Sequence, residues 1–217
     1  FIGLNNLEDL SLWNIHLNAI SPSSFQHLKN LIWLRLHHNL LREITSNMFK
    51  GLLKLENLDL SDNMIISISN GSFDELISLS RLYLSHNQLK SLNSGIFSQL
   101  SNLEELALGS NELQTLSSGI FTELSNLKYL YLNSNGLKTL GPGTFSKLSN
   151  LEILDLGSNE LQTLSSGIFN ELSNLIYLSL DSNRLKSLDF NSFSGLNLLN
   201  TIYLSGNIIE IIDCAFQ

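Results

Sequence analysis

The sequence of 217 residues is poor in cysteine, proline and basic residues. Its one cysteine, Cys214, allows no internal disulfide, which is typical of proteins in a reducing compartment. Acidic residues outnumber lysine and arginine by 20 to 12, and the basic residues form no run. We therefore predict no nucleic-acid partner. No apolar stretch reaches the length of a membrane span, so we expect no membrane insertion by this segment.

Motifs that support catalysis are missing as well. The sequence contains no nucleophile elbow, no glycine-rich phosphate loop, no H-E-x-x-H and no C-x-x-C. Its many serines lie in predicted turns, and Cys214 has no charged partner that would make it a nucleophile. We therefore predict that the protein is not an enzyme, with no catalytic residue and no cofactor.

What the sequence does contain is a 24-residue period, which begins at Leu7 and recurs in register. The first positions are Leu7, Leu31, Leu55, Leu79, Leu103, Leu127, Leu151, Leu175 and Leu199. The pattern L-x-x-L-x-L-x-x-N-x-L at this period is typical of a leucine-rich repeat solenoid. We predict an α/β repeat fold, a horseshoe of about nine repeats with a parallel concave β-sheet.

The period also divides the chain. One domain is predicted over residues 1–217: residues 1–6 end a preceding repeat, 7–198 form eight full repeats, and 199–217 form a partial ninth in which Phe216 arrives one residue early. Neither end shows a polar or disulfide-bonded cap, so we expect the caps to be missing and the open ends to favour self-association. Cys214 is then structural or pairs with a cysteine outside the sequence, and the cysteine count says little about the compartment.

Two further columns of residues predict the interior. Position 9 of the repeat is asparagine in eight of nine cases, from Asn39 to Asn207, with Ile15 as the exception. A carboxamide donates and accepts hydrogen bonds, so we predict a buried ladder that satisfies backbone groups at this turn. Position 19 is phenylalanine in every repeat from Phe25 to Phe193, which predicts a stacked aromatic column behind the sheet.

The strand positions that point away from the leucines carry the candidate site. All tryptophans and tyrosines fall at positions 3, 5 or 7 of the repeat. Strand propensity explains part of this bias, but exposed aromatic patches mark binding sites, and Trp, Tyr and Arg dominate binding hot spots. The predicted ligand-binding concave face comprises Trp13, Trp33, Arg35, His37, Asp59, Arg81, Tyr83, Glu105, Tyr129, Tyr131, Ile153, Asp155, Tyr177, Asp181 and Tyr203.

Two zones are expected within this face. The N-terminal zone is mixed in charge, and there Arg35, Asp59 and Tyr83 should stand side by side on consecutive strands. Arg35 and Asp59 are then a surface ion pair or a polar anchor for a ligand. The C-terminal zone is rich in tyrosine and acidic residues.

Two nearly identical repeats point to the same face. Residues 103–126 and 151–174 differ at three positions, and two of these changes, Glu105 to Ile153 and Ala107 to Asp155, lie at positions 3 and 5. The pattern indicates a duplicated scaffold whose exposed surface has changed.

Position 8 places His38, Asp62 and His86 in consecutive repeats. Histidine and carboxylate are ordinary metal ligands, but the two histidines should lie about 10 Å apart across two strand spacings. We therefore favour a solvated polar row and predict no metal site. Separately, Asn70 begins the sequon Asn70-Gly71-Ser72 and is the candidate glycosylation site.

The full pattern L-x-x-L-x-L-x-x-N-x-L-x-x-L-x-x-G-x-F-x-x-L-x-x, seen in LKYLYLNSNGLKTLGPGTFSKLSN, resembles the typical class of extracellular leucine-rich repeats. Toll-like receptors, Slit-type guidance proteins, glycoprotein-hormone-type receptors and lamprey variable lymphocyte receptors carry such repeats. The resemblance implies an extracellular recognition module, secreted or the ectodomain of a membrane protein, that binds a protein or glycan in innate immunity or adhesion. The alternative is a soluble inhibitor or scaffold that wraps an enzyme or another protein.

Overall fold

Short parallel strands dominate the architecture. The computed structural model describes residues 1–188 and 191–212, so Cys214 and Phe216 lie outside the described residues. The strands are β1 (Asp9–Ser11), β2 (Trp33–Arg35), β3 (Glu43–Ile44), β4 (Asn57–Asp59), β5 (Ser67–Ile68), β6 (Arg81–Tyr83), β7 (Glu105–Ala107), β8 (Tyr129–Tyr131), β9 (Ile153–Asp155), β10 (Tyr177–Ser179), β11 (Ser187–Leu188), β12 (Thr201–Tyr203) and β13 (Ile211–Ile212).

One sheet runs the length of the described chain. It has nine strands in the order β1-β2-β4-β6-β7-β8-β9-β10-β12. All its pairings are parallel, and each residue faces the one 24 positions later, as in Leu34 with Leu58 and Leu106 with Leu130. The predicted parallel sheet of a leucine-rich repeat solenoid is therefore confirmed. Two smaller pairs, β3-β5 and β11-β13, flank it.

The leucines explain why each strand lies where it does. Positions 4 and 6 point to the interior, and Leu82, Leu84, Leu106 and Leu108 are all 0% exposed. The strand residues on either side of position 4 point the opposite way, because side chains alternate across a strand. Hydrophobic burial therefore fixes one face of the sheet and leaves the other face to solvent.

The asparagine column forms the predicted ladder. Asn111 accepts a hydrogen bond from the Leu89 N–H at 3.1 Å, and its Nδ2 donates to the Leu84 carbonyl at 2.9 Å and the Leu108 carbonyl at 3.1 Å. The same contacts recur along the column, and each amide ties its own turn to the preceding repeat. Ile15, the exception, is half exposed, and its N–H donates to Asn39 Oδ1 at 3.1 Å.

The phenylalanine column is also confirmed. The rings from Phe25 to Phe169 are at most 1% exposed. Neighbouring rings stack with centroids 6.1 Å apart for Phe49 and Phe73 and 6.5 Å apart for Phe97 and Phe121, within the range of favourable aromatic pairs. This column backs the sheet and closes the interior.

The convex side is built of turns. Residues 119–127 illustrate the pattern, because Thr122, Leu124 and Leu127 each donate a backbone hydrogen bond to the carbonyl three residues earlier. The described residues contain no helix, so turns and the two short strand pairs take the place of the helical layer of the α/β class. Glycine is required at turns such as that of Gly195, where φ is +90° and an added Cβ would lie 2.6 Å from the Asn170 carbonyl oxygen.

Turn residues at position 8 also adopt a left-handed backbone. His38, Asp62 and His86 have φ of 54°, 51° and 56°, and the equivalent serines repeat this value. Aspartate and histidine are enriched at positive φ relative to other residues that carry a Cβ, whereas β-branched or bulky residues are strained there. Among the described residues, no helix has the length and apolar character needed to cross a membrane.

We predict that Asn111→Ala destabilises the protein. The change leaves the buried Leu89 N–H without a partner, which costs about 1–3 kcal/mol. The carbonyls of Leu84 and Leu108 each lose one donor and keep the other, Asn87 and Asn135. Urea unfolding followed by circular dichroism should show a lower midpoint. The control, Gln114→Ala at an exposed position of the same turn, should stay within about 0.5 kcal/mol of the unchanged protein. Equal midpoints for the two variants would contradict the stabilising role of the ladder.

Candidate binding face

The structure gathers the predicted residues on one surface, which we call the concave face and which carries positions 3, 5 and 7 of each repeat. The first row holds Trp33, Arg81, Glu105, Tyr129, Ile153 and Tyr177; the second holds Arg35, Asp59, Tyr83, Tyr131, Asp155 and Tyr203; Trp13, His37 and Asp181 follow two residues after the strands. The in-register pairing places each row along the sheet. All the predicted residues therefore share this face.

An arginine occupies the N-terminal end of the face. Arg35 and Asp59 are strand neighbours, as predicted, but they do not form the expected ion pair. The Arg35 guanidinium pairs with Asp9 on the other side, and its Cζ lies 4.6 Å from the centre of the Trp33 ring. A carboxylate and an aromatic ring thus hold one cation together, and both contacts favour a guanidinium.

A histidine lies next to this group. The His37 ring stacks on Trp13 with centroids 5.6 Å apart, and His37 Nδ1 lies 3.0 Å from Asp59 Oδ2. Despite this short distance, His37 Nδ1 is buried and has no hydrogen-bond partner. Asp59 instead accepts hydrogen bonds from the Ser61 N–H and hydroxyl at 3.0 Å and 2.6 Å. Asp59 therefore contacts Ser61 and His37, and it forms no ion pair with Arg35.

A second arginine organises the centre of the face. Arg81 Nη1 donates to Asn57 Oδ1 at 2.9 Å, and Arg81 Nε lies 3.7 Å from Glu105 Oε2. The Tyr83 hydroxyl donates to the same carboxylate oxygen at 3.1 Å. Burial, reinforced by the charge of Glu105 and by this hydrogen bond, raises the pKa of Tyr83 to about 12.

Tyrosines and carboxylates occupy the C-terminal part of the face. The rings of Tyr177 and Tyr203 lie 5.6 Å apart. Asp155 Oδ1 accepts a hydrogen bond from the Gly157 N–H at 2.9 Å, and Asp181 accepts from the hydroxyls of Ser179 and, at 3.2 Å, Ser182. Neither carboxylate forms an ion pair within residues 1–188 and 191–212.

The pKa values of two tyrosines in this part are raised by burial and by those charges. Burial is the main cause that raises the pKa of Tyr131, and the negative charges of Glu105 and Asp155 act in the same direction. Burial likewise raises the pKa of Tyr177, assisted by Asp155 and Asp181. Both phenols therefore stay protonated and available as hydrogen-bond donors at neutral pH.

The histidine row forms a weaker contact. His38 Nδ1 lies 3.9 Å from Asp62 Oδ2, while His86 is exposed. Across the part of the chain that the structure describes, no three or more histidine, cysteine, aspartate or glutamate side chains are grouped closely enough to hold a metal ion. The row is thus a partly exposed polar edge beside the face.

Two residues of the face, Asn57 and Ser179, were missed by the sequence-based prediction. Asn57 accepts from Arg81, and Ser179 donates to Asp181, whereas Asp9, the partner of Arg35, was expected in the mixed N-terminal zone. Asn57 and Ser179 lie at positions 3 and 5, so the repeat pattern held the signal, but the prediction favoured aromatic and charged residues over small polar ones. Glu152, at position 2, also lies near this surface, with its Oε2 3.5 Å from the Tyr129 hydroxyl.

Comparison with known proteins agrees with this architecture. The family model described as "Leucine rich repeat" matches residues 5–65, 33–89, 53–113, 77–137, 101–161, 125–171 and 149–209. The chain therefore belongs to the leucine-rich repeat family, and the resemblance of its repeats to the Toll-like type is confirmed by the structures that follow.

Two solved structures are similar to it. A chain of the Toll–Spatzle complex, described as a molecular hub in Drosophila development and innate immunity, has a TM-score of 0.80 and 29% identity, covering 98% of this chain and 32% of its own length. A chain of the TLR13–ssRNA13 complex has a TM-score of 0.85 and 32% identity, covering 94% of this chain and 33% of its own length.

This chain thus spans about a third of each of those two chains. None of the curated proteins compared with it matches significantly. The similarities support a receptor-like, ligand-binding module of the leucine-rich repeat type.

We predict that Tyr83 makes the protein sensitive to alkali. Because its folded-state pKa is raised to about 12, above the ordinary value of 10.0, its contribution to stability is complete below pH 10 and is lost as pH rises through 12. Urea midpoints measured from pH 9 to 12 should fall less steeply for Tyr83→Phe than for the unchanged protein. Phenolate absorbance at alkaline pH should lose its last-titrating component in this variant. An unchanged absorbance titration would contradict the assignment.

Proposed function

We propose that the concave face binds a protein ligand, so that the chain acts as a non-catalytic recognition module. The observation that carries the proposal is the restriction of every tryptophan and tyrosine to this one surface. Trp13 and Tyr203 are about half exposed, and Trp33, Tyr83 and Tyr131 are partly exposed. Rigid aromatic side chains lose little entropy on binding and supply large contact areas, which is why they dominate interface hot spots.

The charge pattern favours protein over the other ligand classes. The face alternates carboxylates and arginines at its N-terminal end and is acidic at its C-terminal end, whereas binding to a nucleic-acid backbone requires a continuous basic surface. The TLR13 complex contains single-stranded RNA and the Toll complex contains Spatzle. Acidic composition therefore does not by itself exclude RNA for this type of module, and we treat RNA and glycan as outcomes of the test below.

The setting we propose is the ectodomain of a receptor or a secreted protein of innate immunity or adhesion, facing the extracellular space or the endosomal lumen. Support comes from the two similar structures, one of which is described as a hub of development and innate immunity. The second candidate, a soluble inhibitor or scaffold that wraps an enzyme, uses the same curved surface and differs only in its partner.

Two substitutions on the concave face test the proposed function. Trp33→Ala and Tyr131→Ala each remove an aromatic contact that is expected to contribute about 2 kcal/mol, or roughly thirtyfold in affinity. The assay is biolayer interferometry against protein partners isolated from a displayed library of extracellular domains, with an RNA pool and a glycan array as parallel arms.

Variants on the convex side provide the control. Lys138→Ala and Gln114→Ala lie at exposed positions away from the face and should leave affinity unchanged. If partner binding survives both aromatic substitutions and weakens with the convex ones, the concave assignment is wrong. Binding confined to the RNA or glycan arm would replace protein as the ligand class.

Asn70 is the proposed glycosylation site, and its side chain is exposed on the convex side. Ser72, the third residue of the sequon, is buried, and its hydroxyl donates to the Ser69 carbonyl at 2.7 Å. A glycan on Asn70 would point away from the concave face and leave it free. Expression in a secretory eukaryotic host should give a mass that falls after treatment with an N-glycosidase. Asn70→Gln should abolish that shift, and a mass equal to the bare polypeptide would refute the site.

A further inference from the structure

The two halves of the concave face handle charge differently. In the N-terminal half, each arginine is matched by an acidic or amide partner of the same face: Arg35 by Asp9, and Arg81 by Asn57 and Glu105. From Glu105 to Tyr203, positions 3, 5 and 7 contain no lysine and no arginine. Beyond Glu105, which pairs with Arg81, the carboxylates of Asp155 and Asp181 form no ion pair among the described residues.

We define the acidic tyrosine patch as Tyr131, Asp155, Tyr177, Asp181 and Tyr203. The strand register places four residues in a row across neighbouring strands, in the order Tyr131, Asp155, Ser179 and Tyr203. Adjacent strands are about 5 Å apart. Phenol rings thus surround two carboxylates within a span that the side chain of one basic residue can reach.

Gly157 allows three oxygen atoms to lie close together at the centre of the patch. A Cβ atom at this position would lie 2.7 Å from Asp181 Oδ1, 3.0 Å from Ser179 Oγ and 3.2 Å from Asp155 Oδ1, so a larger residue does not fit. Asp155 Oδ1 accepts from the Gly157 N–H, and Asp181 Oδ1 accepts from the Ser179 hydroxyl. Because an ionised carboxylate offers about four acceptor sites, both side chains can still accept hydrogen bonds from a cationic donor.

The same face already shows which group suits this chemistry. At its N-terminal end, a carboxylate and an aromatic ring hold the Arg35 guanidinium, which lies 4.6 Å from the Trp33 ring. The acidic tyrosine patch offers the same pairing of carboxylate and aromatic ring without an arginine. The pKa values of Tyr131 and Tyr177 are raised partly by Asp155, as expected for phenols in a negative local potential.

We propose that the acidic tyrosine patch binds a basic segment of the protein ligand, with an arginine or lysine side chain placed between Asp155, Asp181 and the tyrosine rings. This inference rests on the proposed function and specifies the chemistry of the ligand. Carboxylates attract the cation and steer association, and the ring faces contribute cation–π contacts.

Fluorescein-labelled hexa-arginine is the probe, and its binding is measured by fluorescence anisotropy at moderate salt. The test variant is Asp155→Ala with Asp181→Ser. Both replacements already occur at equivalent positions of other repeats. Ala107 lies at position 5, two repeats before Asp155, and Ser205 lies at position 7, one repeat after Asp181. The charge-matched control is Glu112→Gln with Glu123→Gln, which removes two charges at exposed positions off the face.

We expect the test variant to bind hexa-arginine at least about tenfold more weakly, and the control to change by less than about twofold. Tyr177→Phe should retain binding and Tyr177→Leu should lose it, because only the ring is needed for the cation–π contact. Circular dichroism and the thermal midpoint verify that each variant is folded.

Equal weakening by both charge pairs would show general attraction between a basic peptide and an acidic protein, and it would overturn the proposal. An unchanged protein that does not bind the peptide would overturn it as well. Neither result contradicts the proposed function, which fails only if the affinity for the partner is unchanged in Trp33→Ala and Tyr131→Ala. Conversely, a library partner can lose affinity for the two aromatic variants and keep its affinity for Asp155→Ala/Asp181→Ser. That result would refute the basic segment of the ligand and leave the proposed function intact.

Discussion

The molecule depends on keeping each repeat in register with the next, and the buried asparagines enforce that register. Each carboxamide accepts from one backbone N–H of the preceding repeat and donates to carbonyls of both repeats, as Asn111 does with Leu84, Leu89 and Leu108. A shift of one residue would remove these partners and would turn the strand leucines toward solvent. Since buried polar groups without partners are costly, the ladder restricts the chain to a single stacking arrangement, and the phenylalanine column packs within the space that results.

This constraint separates the fold from the binding surface. Positions 4, 6, 9 and 19 fill the interior, while positions 3, 5 and 7 lie on the concave face, where only some residues, such as Asn57 and Ser179, are buried. The near-identical repeats 103–126 and 151–174 show this separation. Glu105 in one is equivalent to Ile153 in the other, and Ala107 is equivalent to Asp155. Charge is balanced within the N-terminal half of the face and left unbalanced in the C-terminal half, so the two halves present different chemistry on one rigid support.

The sequence was sufficient to predict the solenoid, the parallel sheet, both interior columns and the surface on which the aromatic residues lie, because all of these follow from a strict period. It was insufficient for the contacts between side chains. Arg35 has a carboxylate on each neighbouring strand, Asp9 and Asp59, and a repeat pattern gives the position of a residue without its rotamer. The contacts with Asp9 and with the Trp33 ring hold the Arg35 guanidinium on the side of Asp9. The turns of the described convex side were predictable as well, because short sequences such as Ser117–Ile120 are rich in turn residues and carry no helical periodicity.

The exact spacing of the strands also affects how such a gene can change. The near-identical stretches 103–126 and 151–174 start two repeats apart, at the same phase of the period. Recombination between them would delete or duplicate two whole repeats. The reading frame and the phase of the 24-residue period would both be kept. Every asparagine would still meet a carbonyl of the repeat before it, and the sheet would shorten or lengthen by about 10 Å. Such a protein can therefore alter the size of its recognition surface in a single genetic event, without passing through an unfolded intermediate form.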